Sequence, residues 1–423
     1  MNFGTHSTVE YLALRLLHRW VPKWYDAFSD PLTGGFYERL GHSFKPVLTG
    51  SRRLLTQCRQ LSIYSHAILQ KGAPDFRPDL AKNFEHIVSR YHDPETGLWR
   101  FSLDDAGQCA DSTCDLYALC FVIFSFSHYG RATGDERAHQ LALSAIRLID
   151  TRFRMKGKPG FAEALDSSYN PLPRMRRQNP HMHLLEACLF AYESWGDAIF
   201  LNIADEMVGL FYDYFFDAGN CSLCEFFTDD LRPDPEQGRR VEPGHYFEWV
   251  WLLKQHAALG GEKGRHDATC LLLLNWANGH GWDSRYGGIY DVLDPDGMVL
   301  ADTKRLWPFT EALKANSMML DSVKEKEPVK KRIAEMVAVF RRDYMQERGF
   351  WVEWLSRDLE PQSDYMPGTT PYHVYLGIME TRRYLHARGY SVSLSGPVIG
   401  ASYKIRRRLS GWARRWRNRL KRA

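Results

Sequence analysis

A glycine beside an aromatic or branched apolar residue recurs along this chain at intervals of about 60 to 66 residues. The copies are Gly34-Gly35-Phe36, Gly97-Leu98-Trp99, Gly160-Phe161, Gly287-Gly288-Ile289-Tyr290 and Gly349-Phe350, with a degenerate one near Leu223 to Phe226. A fixed period of this length means that one supersecondary unit is repeated, and that each unit buries its apolar face on its neighbours. Every turn is followed by a few β-prone residues, as in Phe350-Trp351-Val352-Glu353-Trp354. Between the turns, apolar residues recur at three- and four-residue spacing, the period of helices packed on a core.

That spacing predicts twelve helices, near 6–29, 50–71, 77–92, 111–131, 135–152, 179–195, 197–215, 243–259, 262–278, 304–322, 327–343 and 370–388. Twelve helices in six hairpins predict an all-α, closed (α/α)6 barrel with short β-prone loops at one end. An open solenoid of helix pairs is the competing arrangement. Closure is preferred because six units of this size can shut on themselves and hide both terminal apolar faces. The expected organisation is a barrel over 1–390, a linker over 391–403 containing Gly396-Pro397 and Gly400, and a tail over 404–423.

Composition narrows the functional classes. The chain is 44% hydrophobic and 25% charged, an ordinary globular balance. Met1 to Glu10 has no apolar leader core, and the apolar run from Leu116 to Phe126 is too short to span a bilayer and reads as a buried helix. The eight cysteines are scattered, which suits reduced thiols in a cytoplasmic protein. Cys221 and Cys224 form one C-x-x-C with no second pair nearby, so a zinc site is not expected.

The charge is unevenly placed. Residues 404–422 hold ten Lys or Arg and no acid, so the rest of a +4 chain carries about −6. Ile405, Leu409, Trp412, Trp416 and Leu420 recur at spacings that put them on one helix face, with arginines between. A basic amphipathic helix of this kind suits an anionic membrane surface, and a peripheral place on the inner membrane face is the corresponding expectation. Nucleic acid is not an expected partner.

Three predicted helices begin alike: Asn179-Pro180 precedes His183, Glu242-Pro243 precedes His245, and Thr370-Pro371 precedes His373. Proline is a normal start signal, since its missing N–H would be an orphan there anyway. These are the sixth, eighth and twelfth helices, so in a double ring they run parallel and bring three imidazoles to one mouth. The tenth helix adds Trp307 and Glu311, the second adds Arg59, and Glu248 shares a helix face with His245. Imidazoles suit proton transfer beside a sugar carbonyl, and a helix N-terminus favours their neutral form. Arginine can steady a developing enediolate oxygen and an indole can face a sugar ring. Tyr117 is a further candidate substrate-binding residue. Three histidines and a glutamate could instead hold a metal, but no H-E-x-x-H or close histidine pair supports that.

These segments resemble the N-acylglucosamine 2-epimerase family. Arg240-Val241-Glu242-Pro243-Gly244-His245-Tyr246-Phe247-Glu248-Trp249 is similar to that family's E-P-G-H-x-x-E-W segment. Thr56-Gln57-Cys58-Arg59, the helix from Asn179 to Ala187, the stretch from Leu306 to Ala312 and Pro371-Tyr372-His373 complete the likeness, over roughly residues 10–388. The resemblance implies the (α/α)6 barrel, His245 and His373 as the acid/base pair, and Arg59 and His183 on the sugar oxygens. It also implies that Glu248 and Glu311 orient or tune the histidines, that Trp307 lines the pocket, and that no cofactor or metal is needed. His373 is followed by Val374-Tyr375, where N-acylglucosamine epimerases carry Pro-Arg and cellobiose epimerases a polar residue and Arg. That departure favours interconversion of mannose and fructose through a cis-enediolate. An N-acylglucosamine 2-epimerase is the alternative, and an (α/α)6 glycoside hydrolase or a non-catalytic sugar-binding protein are the readings of another class.

Overall fold

A computed structural model describes residues 8–70 and 73–390. The expected linker at 391–403 and basic tail at 404–423 lie outside the described residues.

Six helices form an inner ring: Leu54–Ile68, Leu116–Thr133, Gln178–Trp195, Pro243–Leu259, Leu306–Met318 and Thr370–Ala387. Each packs on the next, and Thr370–Ala387 packs back on Leu54–Ile68, so the ring closes. Inner helices are flanked on all sides and are buried nearly all round; every residue of Leu116 to Phe126 is buried except the half-buried Tyr117. The outer ring is amphipathic. It comprises 8–28, Arg77–Tyr91, Glu136–Leu148, Ala198–Leu210, Asp267–Trp276 and Lys326–Val339. A π-helical turn, Leu16–Trp20, lies within the first outer helix, and four others end in one: Ile149–Phe153, Phe211–Phe215, Ala277–Gly281 and Phe340–Tyr344. All twelve helices expected from the periodicity are present, with ends shifted by a few residues.

Closure also has a backbone component. The residues before each inner helix pair with the turn of the following repeat, as in Arg53↔Ser102, Asp115↔Ala164, Arg177↔Phe226 and Arg305↔Trp354. A bridge between Val241 and Leu293 does the same in the fourth repeat. The last pairing, Arg39–Gly41 with Tyr365–Pro367, joins the first repeat to the last. This girdle holds the inner-helix N-termini at one mouth. An open solenoid has no such pairing.

The glycine turns have a backbone reason. Gly34, Gly97, Gly287 and Gly349, each two residues before the bridging apolar position of its turn, all have positive φ. In the degenerate copy Cys221 takes that place at φ 56°, a conformation that costs a non-glycine residue roughly 1–2 kcal/mol. No helix among the described residues is long and apolar enough to cross a membrane.

Candidate active site

Inner-helix starts from distant parts of the chain surround a cavity of about 270 Å³ at the girdled mouth, at the small end for ligand pockets. Arg59, Tyr117, His183, His245, Glu248, Trp307 and His373 line it, so seven of the eight expected site residues meet there. The eighth, Glu311, stands behind His373, 3.1 Å from its Nδ1.

The Trp307 ring lies between the two histidines, its centroid 4.9 Å from that of His245 and 5.6 Å from that of His373. Gly244 permits this placement. A Cβ there would come within 2.5 Å of the indole, so any side chain would push Trp307 out of position.

The two histidines are held in opposite charge states. Burial works against a charge on either. At His245 the Glu225 carboxylate overcomes burial, with Nδ1 at 2.8 and 2.9 Å from its two oxygens, and lifts the imidazole to about 9. The amide of Asn179 lies 2.9 Å from the other ring nitrogen. At His373 burial prevails over the hydrogen bond to Glu311, and with Arg59 nearby the imidazole falls to about 4. The sequence expectation that a helix start keeps such a histidine neutral fits His373. It fails for His245, because a full carboxylate in contact outweighs the partial charge of a helix end.

Below the cavity lies a buried polar cluster. His183 Nδ1 is 2.9 Å from Glu186, which also accepts the Tyr372 hydroxyl. Lys314 pairs with Glu311 at 2.6 Å and lies 4.1 Å from the Trp251 ring centroid. Burial raises the Glu311 carboxyl, but Lys314 first and then His373 bring it down to about 2. Arg59 donates to the Tyr117 hydroxyl at 2.7 Å and stacks near Phe121 and Tyr372. Glu248, expected to orient or tune the histidines, acts on His245 through its charge and not through a hydrogen bond. It does not hydrogen-bond His245, and its nearest imidazole is His183, 3.7 Å away.

Two trios, His183–Glu186–Glu248 and Glu248–Glu311–His373, hold their ligand-type atoms within 4.8 Å. Lys314 pairs with Glu311 and Glu186 with His183 Nδ1, while the Glu248 carboxyl shared by both trios has no hydrogen-bond partner.

Glu225, Glu186 and Lys314 were not among the expected site residues. Glu225 had a signal. It stands two residues after the bridging position of its turn, where four other repeats carry Glu38, Glu163, Asp291 and Glu353. Each of these acids faces the start of an inner helix, as in Glu38 with Arg53, Glu163 with Arg177, Asp291 with Arg305 and Glu353 with Thr370. Glu225 lies in the degenerate copy near Leu223 to Phe226, where Cys221 stands in place of the glycine.

Known proteins resemble this chain in sequence and in fold. Residues 35–377 match the N-acylglucosamine 2-epimerase (GlcNAc 2-epimerase) family. A protein named mannose-6-phosphate isomerase from Rhizobium meliloti is 30% identical over 398 residues, covering 90% of this chain and 98% of that one. A cellobiose 2-epimerase from Bacteroides fragilis is 27% identical over 59% of this chain and 65% of its own length. A crystal structure of D-mannose isomerase shares the fold with a TM-score of 0.80 at 20% identity, over 90% of this chain and 99% of that one. The chain therefore belongs to the N-acylglucosamine 2-epimerase family and is an enzyme, a sugar isomerase or epimerase on an (α/α)6 barrel.

Proposed function

We propose that this family member is an aldose–ketose isomerase of the mannose-to-fructose type, working by proton transfer through a cis-enediolate without a cofactor. The observation that carries the reading is a pair of histidines across one small cavity, His245 in contact with the Glu225 carboxylate and His373 backed by Glu311. A neutral His373 is ready to take the proton from C2 of an open-chain aldose. A protonated His245 and the Arg59 guanidinium are ready to meet the negative oxygen that develops. Return of the proton to C1 gives the ketose.

The small cavity suits a monosaccharide. Val374 and Tyr375 are both buried, and Tyr375 bonds His66 rather than lining the cavity, so no basic side chain from that position reaches the sugar. The names of two relatives, a mannose-6-phosphate isomerase and a D-mannose isomerase, point the same way. A glycosidase would need two free carboxyls flanking the substrate. Here Glu311 is spent on His373 and Lys314. Two histidines on separate helices also suit a 2-epimerase, which returns the proton to the opposite face of C2. The 404–423 tail is proposed to rest on anionic membrane.

Proton NMR in D2O containing EDTA, with mannose, mannose 6-phosphate, N-acetylglucosamine and cellobiose, tests the reading. Fructose or its phosphate carrying deuterium at C1 is the expected product. An epimer deuterated at C2 would select the second reading, and no exchange with any sugar would reject both.

A further inference from the structure

Isomerisation moves two protons, and His373 accounts for the one on carbon. Converting an aldose to a ketose also requires a proton to arrive on O1 and one to leave O2. A group that serves both oxygens must donate and accept, and must reach two adjacent atoms.

Most polar groups in the cavity wall cannot do this. Arg59 donates only. Glu225 is spent on His245, Gln178 and the backbone N–H of Glu242. Glu242 is spent on Arg305. His183 gives its Nδ1 proton to Glu186, an acceptor already shared with Tyr372, so its Nε2 presents a lone pair and no proton. Tyr117 offers a single oxygen, which accepts from Arg59.

Glu248 is different. It lines the cavity, is 1% exposed, and neither carboxyl oxygen has a hydrogen-bond partner. An orphaned buried carboxyl is costly unless it has a task, and it carries a proton when the neighbouring acids are ionised. Burial first and the Glu311 carboxylate second push this carboxyl well above its ordinary range. The neighbouring cation, Lys314, is engaged by Glu311.

On the isomerase reading above, we propose that Glu248 is a catalytic residue that relays a proton between O2 and O1 of the enediol. His373 removes the C2 proton, the C–H electrons form C1=C2, and O1 becomes an alkoxide. Glu248 gives its proton to O1 through one oxygen and takes the O2 proton through the other. The O2–H electrons then form C2=O, and the C1=C2 pair collects the proton from His373 at C1. Glu248 ends protonated and His373 neutral, so no further reactant is required.

The test is Glu248→Gln in D2O, with ketose formation and C2 deuterium exchange in recovered aldose measured side by side. The amide keeps a donor for O1 but cannot relay. Ketose formation is expected to fall at least about 100-fold, in the range of a lost acid–base group. C2 exchange should stay within about tenfold of wild type. Glu248→Ala should lose both. Equal losses of exchange and ketose in Glu248→Gln, or wild-type ketose formation, would overturn the relay while leaving the isomerase reading intact. Wild-type enzyme that forms an epimer and no ketose would overturn the isomerase reading, and the relay with it.

Discussion

At the residue scale, the division of labour between His245 and His373 comes from which carboxylate contact outweighs burial. The active form needs His373 neutral and His245 charged. Raising pH through about 4 frees the base, and raising it through about 9 discharges the acid, so kcat/KM should form a broad plateau between those limits. Glu225→Gln removes the carboxylate that lifts His245 and leaves burial, which lowers it. The alkaline limb should therefore move to lower pH while the acid limb stays. A pH–rate profile with an unmoved alkaline limb would show that Glu225 does not set the charge on His245. His245→Ala and His373→Ala should each cost about 10²- to 10⁴-fold in turnover, with the thermal midpoint showing that the fold persists. The histidines were readable because each follows a proline at a helix start. Glu225 was not, because its role rests on a contact with His245 that only the folded chain makes.

At the scale of elements, the inner helices act as rigid mounts. Pro243–Leu259 presents His245 and Glu248, and the glycine between Pro243 and His245 lets the neighbouring helix bring its indole close. Gly244→Ala should displace Trp307 and lower kcat/KM by about 10²-fold, as expected when a site group moves by roughly an ångström. The overpacking should also cost about 1–3 kcal/mol, readable as a lower denaturation midpoint. Unchanged kinetics would mean that the indole does not position substrate. Helix number and order followed from the 3.6-residue period. The π turns of the outer helices did not, since one wider turn leaves that apolar spacing nearly unaltered.

Across the whole molecule, the last repeat both closes the ring and delivers His373. A chain ending after residue 360 would lack Thr370–Ala387 and the Tyr365–Pro367 strand, exposing the inner faces of the first and fifth inner helices. Truncation after residue 395 keeps these parts and should leave turnover intact. Full-length protein should co-sediment with anionic liposomes at low salt, and the truncated chain should stay in solution. Equal partition of the two would remove the tail from membrane binding.

What the sequence determined by itself is periodic or local. The repeat length, the twelve helices, the shared mouth and the histidines at helix starts all follow from spacings within one repeat. The charge state of each group was decided only by tertiary structure, because it depends on burial and on partners far away along the chain. Glu225 and His245 are 20 residues apart, Glu311 and His373 are 62 apart, and Glu186 and Tyr372 are 186 apart. Ring closure brings these groups together and buries them. In that setting one contact carboxylate lifts His245, while burial and the nearby Glu311 carboxylate push the Glu248 carboxyl up.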